Sequence, residues 1–270
     1  MTLRFCDSER KLEELAAGAQ AFDRVVAAGG DGTASALCYA LRETGVPILV
    51  YPAGTANLLA QNLGMPVEPR QLADMTLNGS VVEFDLGELE RASTSGPGTV
   101  KSGFAVMAGA GYDAAIIEGA APFKANMGAA AYLFAAVSNL APTPAHFVLD
   151  MDGEEVVTDG IAVLVMNFGR LQFDLPIALG ADPRDGLLQV AILRQRSVAA
   201  LVPAVVAGFS GADKLPGVDV YTAKRVTVMA EPALSIQYDG ETLAAVTPFT
   251  ARALPRATTL LVPADSEYAG

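Results

Sequence analysis

Two short stretches set glycine, threonine and a carboxylate or amide directly behind an apolar run. Val25-Val26-Ala27-Ala28 breaks into Gly29-Gly30-Asp31-Gly32-Thr33, and Pro47-Ile48-Leu49-Val50-Tyr51 runs into Pro52-Ala53-Gly54-Thr55-Ala56-Asn57. Glycines tolerate positive φ and close backbone approach, so successive amides can converge on a phosphate. The partial positive charge at a following helix N-terminus adds to the attraction. In that reading Asp31, in an exposed turn, sits where a metal-bound polyphosphate arrives. A tight turn with a capping aspartate is the alternative, and one glycine turn does not choose between them.

Three further acidic groups invite chemistry. Asp85 lies among the apolar residues of 80–86, where a buried carboxylate needs a hydrogen-bonding partner or a metal. Asp182-Pro183-Arg184-Asp185-Gly186 is either a metal loop or a surface turn. Asp239-Gly240-Glu241 is either a hairpin turn with a solvated glutamate or a place for acid-base work. His146, the only histidine, lies in an alternating strand pattern rather than a catalytic turn, which argues against a Ser-His-Asp triad. Cys6 and Cys38 lack the close spacing of a metal pair and are expected to be reduced thiols.

The elements that must position these groups change character along the chain. Helices are predicted over 9–20, from Thr33 to near Gly45, over 58–63 and over 68–78, alternating with strands over 25–28, 47–51 and 80–86. In an open parallel sheet the two glycine turns then share the carboxyl edge, where ligands bind. Beyond Leu86 comes a turn-rich loop over 91–98, followed by short alternating segments. Strands are predicted at 104–107, 146–151, 156–165, 187–193, 218–229 and 234–238, with helices at 113–118, 124–139 and 197–209. Asp152-Gly153 is a hairpin signal. The division is an α/β domain over 1–86 and a β-rich domain over 87–257, with a final strand in 258–270 expected to return to the first.

With 270 residues, 51% of them hydrophobic, the chain can bury a sizeable core. A formal charge of −12 argues against nucleic acid as partner and against electrostatic attachment to an anionic membrane. Phosphorylated ligands stay admissible where metal ions and amides neutralise them locally. No apolar run reaches the ~18 residues of a membrane span, the longest being interrupted at Ser138 and Asn139. The start of the chain lacks the long apolar core of a signal peptide, so a cytoplasmic protein is expected.

Taken in order, Gly29 to Thr33, Gly54 to Asn57, Phe84-Asp85-Leu86-Gly87, Gly109-Ala110-Gly111-Tyr112-Asp113-Ala114, Asp182 to Leu188 and Asp239 to Glu241 resemble the diacylglycerol kinase catalytic-domain family. The resemblance is specifically to the soluble bacterial lipid kinases, similar to sphingosine kinases and distantly to NAD kinases. The resemblance implies a NAD-kinase-like nucleotide-binding α/β domain followed by a mostly antiparallel β-rich domain, and phosphoryl transfer from ATP to a lipid hydroxyl such as that of diacylglycerol. It implies that Gly29, Gly30, Asp31, Gly32, Thr33, Ala34 and Ser35, with Gly54, Thr55 and Asn57, contact ATP, and that Asp31 and Asp85 hold the catalytic Mg2+. Glu241 becomes the general base, with Asp239 in the same catalytic motif. Asp185, with the backbone oxygens of Asp182 and Leu187, becomes a structural metal loop.

The implied partner is a lipid alcohol at a membrane surface, with peripheral contact and room for a homodimer. A NAD kinase-like enzyme, or a non-catalytic relative that binds nucleotide or lipid, are the alternatives. The family's first strand, ending in an asparagine-proline loop, is expected to be missing before the glycine turn. Leu58 stands where relatives often have aspartate, and Asn167-Phe168-Gly169-Arg170 lacks the usual run of glycines.

Overall fold

The computed structural model of the chain describes residues 2–5, 12–94, 96–111, 144–171, 176–178, 180–194, 204, 207–208, 210, 212 and 214–269. After α1 (Leu12–Ala16) and a 3-10 turn (Ala19–Ala21), the apolar runs become β1 (Val25–Gly29) and β2 (Ile48–Pro52). They pair in parallel from Val25↔Ile48 to Gly29↔Pro52, and Ala53 N–H donates to the Gly29 carbonyl at 3.0 Å. Both glycine turns therefore leave the sheet at one edge. Each opens a helix, α2 (Asp31–Ala40) and α3 (Leu58–Asn62), and α4 (Pro69–Asn78) follows with proline at its start, where the missing N–H costs nothing. Asp31 itself begins α2, two residues before the expected start. The helix ends at Ala40, short of Gly45.

The remaining strands build two sheets. They are β3 (Ser80–Ala92), β4 (Thr99–Phe104), β5 (Met107–Gly111), β6 (Ala145–Met151), β7 (Glu154–Gly160), β8 (Ala162–Met166), β9 (Leu188–Leu193), β10 (Val218–Ala223), β11 (Arg225–Glu231), β12 (Ser235–Tyr238), β13 (Glu241–Val246) and β14 (Phe249–Val262). Eight strands form one sheet in the order β1-β2-β14-β11-β6-β7, with β3 against β14 and β4 against β3. Six form the other in the order β10-β9-β8-β5-β12-β13. Phe104, Phe147, Val163, Val190, Val228, Ile236 and Phe249 fill the layer between the sheets. A second cluster, including Leu37, Leu49, Leu59, Phe84 and Leu260, packs under the helices.

Four expectations are corrected by this topology. The segment 104–107 is the junction between β4 and β5, not a strand of its own. The single strands expected at 156–165 and 218–229 are each two strands, because the chain changes sheet at Ile161 and again at Lys224. An alternating apolar pattern has the same period on both sides of such a crossing, so it reads as one run. The strand expected at 258–263 is the end of β14, which starts at Phe249, pairs with β3 along its length and touches β2 through Leu260↔Ile48. β3 runs unbroken through Leu86 and Gly87, so the two halves of the chain share one sheet. The helices expected at 113–118 and 124–139 lie outside the described residues. Of 197–209, only 204 and 207–208 are described, as helix.

Candidate active site

At the carboxyl edge of β1 and β2 the turns touch. A Cβ on Gly54 would lie 2.3 Å from the Gly30 Cα, so the approach excludes any larger residue. Asn57 closes the second turn from within. Its Oδ1 accepts from Gly54 N–H at 2.8 Å and its Nδ2 donates to the Gly54 carbonyl at 2.9 Å, with Asn57 itself left-handed at φ 53°. Asparagine tolerates that region better than most residues. Its amide thus shapes the turn and is spent there, while Ala53, Gly54 and Thr55 remain exposed.

Asp31 is not in an exposed turn. Only 9% exposed, it accepts from Leu59 N–H at 2.9 Å through Oδ1, capping α3 from the first turn of α2. Burial pushes its carboxyl above the usual range, against the pull of the Leu59, Leu58 and neighbouring amides. Ala34 and Ser35 also depart from the expected ATP contacts. Both are buried, and the Ser35 hydroxyl turns inward, accepting from Ala105 N–H at 3.2 Å and donating to Asp239. The α-helical period explains this: positions 34, 35, 37 and 38 form the inner face of α2, leaving Gly32 and Thr33 toward the cleft. Leu58, in the place of the common aspartate, is core.

Asp239 and Glu241 divide two roles across a hairpin. Asp239 (φ 42°) and Gly240 (φ 83°) turn β12 into β13. The Asp239 carboxylate is buried and accepts from Ala105 N–H at 2.7 Å through Oδ2, and from Val106 and Met107 N–H at 3.0 and 2.9 Å through Oδ1. Burial raises its pKa to about 6, and the bonds from Ser35 and the amides hold it from rising further. Enclosed in this way it cannot reach a substrate, so its place in the catalytic set is corrected to that of an internal anchor. Glu241 is exposed, and its carboxylate makes no hydrogen bond or ion pair among the described residues. A Cβ on Gly32 would lie 2.3 Å from Glu241 Oε1, so the carboxylate rests on the glycine face of the α2 N-terminus. The two most separated motifs in the sequence meet here.

Asp85 is drawn to another place. Its Oδ1 accepts from Arg256 N–H at 2.7 Å and its Oδ2 from Gly186 N–H at 2.6 Å, while its own N–H donates to the Pro183 carbonyl at 2.8 Å. Burial, with Asp185 and Asp182 nearby, raises its pKa. No hydrogen bond joins Asp85 to Asp31 among the described residues; the structure joins Asp85 to the 182–187 loop instead. In that loop Asp182 pairs with Arg184 Nε at 2.9 Å, and Asp185 Oδ1 accepts from Leu187 N–H at 2.8 Å. No group of three or more His, Cys, Asp or Glu side chains arranged to hold a metal occurs among the described residues.

Sequence reasoning gave no role to the junction 105–107 or to Asn167. The buried Asn167 Nδ2 donates to the Asp85 and Ala105 carbonyls at 2.9 and 3.1 Å, and its N–H donates to the Val106 carbonyl at 2.8 Å. A lone amide directly after the wholly buried run 162–166 was the available signal. The junction had none, since Phe104 to Met107 are all apolar.

An α/β sheet edge facing a β sandwich is the NAD-kinase-like class of fold. Residues 1–89 match the diacylglycerol kinase catalytic domain, and residues 106–262 match the YegS C-terminal NAD kinase beta sandwich-like domain. A diacylglycerol kinase of Mycobacterium tuberculosis (strain H37Rv) is 30% identical over 256 residues, covering 92% of this chain and 79% of that protein. A Pseudomonas putida protein named "Probable lipid kinase YegS-like" is 33% identical over 270 residues, covering 96% and 83%. The chain belongs to the diacylglycerol kinase catalytic-domain family. In fold it is similar to a diacylglycerol kinase structure from Bacillus anthracis (TM-score 0.71, 17% identity, 94% of this chain and 83% of that one). It is more distantly similar to yeast NADH kinase complexed with NADH (TM-score 0.53, 11% identity, 89% and 62%).

Proposed function

We propose that this chain transfers the γ-phosphoryl group of ATP, with Mg2+, to the hydroxyl of a lipid such as diacylglycerol at a membrane surface. One observation carries the reading: the Glu241 carboxylate, without a hydrogen-bond partner among the described residues, lies against Gly32, at the mouth of the turn whose amides suit a phosphate. A base at that position takes the proton of an acceptor hydroxyl as it attacks the terminal phosphorus. The exposed backbone of Gly54 and Thr55 and the amides around Gly30 and Gly32 bind the phosphates, and positioning accounts for most of the catalysis. Asp31, at the same turn, is the carboxylate placed to meet a phosphate-bound Mg2+, whose chemistry is to neutralise developing charge.

The 182–187 loop suits a second, structural ion by its donor chemistry. Asp185 and the carbonyls of Asp182 and Leu187 are all hard oxygens, the kind of set Mg2+ takes while keeping several waters. The family membership and the named lipid kinases among its relatives support the acceptor class.

The test is formation of phosphatidic acid from diacylglycerol in detergent mixed micelles with labelled ATP and MgCl2. Lipid phosphorylation above that of a Glu241→Gln control supports the proposal. Phosphorylation of NAD with none of lipid would replace it.

A further inference from the structure

The junction between β4 and β5 is a hub, with Ala105 and Val106 outside the strands and Met107 opening β5. Every backbone N–H from Ala105 to Met107 donates to Asp239, the Ala105 carbonyl accepts from Asn167 Nδ2, and the Met107 carbonyl accepts from Asp239 N–H at 2.9 Å. One member of the hub comes from α2: the Ser35 hydroxyl, fully buried, bonds both Ala105 N–H and Asp239. α2 begins at the glycine turn, and Glu241 follows Asp239 by two residues. The hub is thus the short buried path linking phosphate turn to base. Apart from the backbone pairing Tyr238↔Glu241 that closes the hairpin, no hydrogen bond among the described residues holds Glu241, and its carboxylate has no hydrogen-bond partner among them.

We propose that Asp239 is a positioning residue for phosphoryl transfer: held by the amides of 105–107 and bonded to Ser35, it sets where Glu241 stands relative to Gly32. Ser35 is the link on the helix side. Neither side chain touches a reacting atom. This rests on the reading of Glu241 as base, and two kinds of measurement keep the two ideas apart. A misplacement of about 1 Å at a reacting group costs up to about 10²-fold in rate, so a link of this kind should appear in kcat before it appears in nucleotide binding.

The experiment compares the full chain with Ser35→Ala, which cuts the link to α2 yet leaves Asp239 its three amides, and with Asp239→Asn, which keeps the shape but turns a donor toward Ala105 N–H. For both, kcat with diacylglycerol micelles, the ATP dissociation constant, Tm and amide hydrogen exchange over 29–35 and 238–242 are measured. The expected result for Ser35→Ala is a kcat lowered about tenfold, unchanged ATP affinity, near-parental Tm and faster exchange over 238–242. A folded variant with parental kcat and exchange overturns the proposal, as does loss of kcat, affinity and Tm in proportion. If neither variant folds, the hub is merely structural and the proposal fails. If the parent phosphorylates no lipid, the lipid kinase reading fails alone, and the exchange comparison still decides whether Ser35 and Asp239 fix the 238–242 hairpin.

Discussion

Two regions of this chain gather carboxylates around glycine-containing turns and use them in opposite ways. In the loop joined to Asp85, the acidic side chains bind the protein itself: Asp85 holds Gly186 and Arg256, Asp185 holds Leu187, and Asp182 holds Arg184. In the cleft between the glycine turns and the β12–β13 hairpin, one carboxylate is left over. Glu241 rests against Gly32, exposed and without a partner among the described residues. A carboxylate whose lone pairs are filled by amides is an anchor, whereas one facing open backbone at a helix N-terminus is available to a proton and a ligand. Residue type does not separate the two regions; the use of backbone amides does.

The largest expected effect lies on the free side of that contrast. Glu241→Gln keeps size and much of the hydrogen bonding but cannot take the hydroxyl proton, so turnover of lipid should fall about 10²–10⁴-fold. Tm and ATP affinity should hold, since no hydrogen bond among the described residues uses that carboxylate. A rate measurement beside thermal unfolding checks both halves. A Tm drop of several degrees would move Glu241 to the anchoring class.

On the anchored side the large effect is stability. Asp85→Ala strips the acceptors from Gly186 and Arg256 N–H, and leaving two such donors unsatisfied should cost about 2–5 kcal/mol. Urea unfolding of parent and variant measures it. A change under about 0.5 kcal/mol, the range of ordinary surface substitutions, would show that the loop finds other partners and that the contrast between the regions is not energetic.

Much of this was legible in the sequence, for physical reasons that also mark where legibility ended. A buried strand running into glycines and then a helix is local, and β1, β2, α2 and α3 appeared nearly where the pattern put them. Asp239-Gly240 advertised its own hairpin through residues that accept positive φ. The sheet crossings at Ile161 and Lys224 leave no mark in an alternating pattern. Burial of single carboxylates was the least legible, because it depends on distant amides. The sequence around Asp31 suggests exposure because its Leu59 partner lies beyond another strand, and nothing local separates Asp239 from Glu241.

Asp239 supplies a pH signature of its own on the anchored side. Its pKa of about 6 in the fold exceeds the 3.8 of an unburied aspartate, so between those values the folded chain holds a proton that the unfolded chain releases. By linkage, its contribution to stability is full below pH ~4, declines as pH rises and is spent above pH ~6. The groups around it, Ser35 and Cys38 from α2 and Tyr238 beside it, stay uncharged throughout; the Cys38 thiol is pushed up to about 12 by burial. Asp31 and Asp85, also raised, add to the same slope. Asp239→Asn should therefore flatten part of the stability change between pH 4 and 6 in urea titrations. Equal slopes in parent and Asp239→Asn would mean that this carboxylate is ionised at the ordinary pH.

Asp31 has a foot in both regions, and its expected effect on stability is smaller than that of Asp85. It caps α3 as an anchor does, yet it lies at the turn that faces the cleft. Asparagine caps as well as aspartate, while alanine cannot, so Asp31→Ala should lose about 1 kcal/mol and Asp31→Asn almost nothing. Both substitutions remove the negative charge that a phosphate-bound Mg2+ would meet. If the carboxylate serves the ion, ATP affinity in the presence of Mg2+ falls in both variants alike, and the difference between parent and variant vanishes when EDTA replaces Mg2+. If it is a cap alone, Asp31→Asn keeps parental affinity and only Asp31→Ala is changed, through α3. Calorimetric ATP titrations with and without Mg2+, run beside thermal unfolding of the two variants, separate the outcomes, because the cap follows the side-chain oxygen and the ion follows the charge.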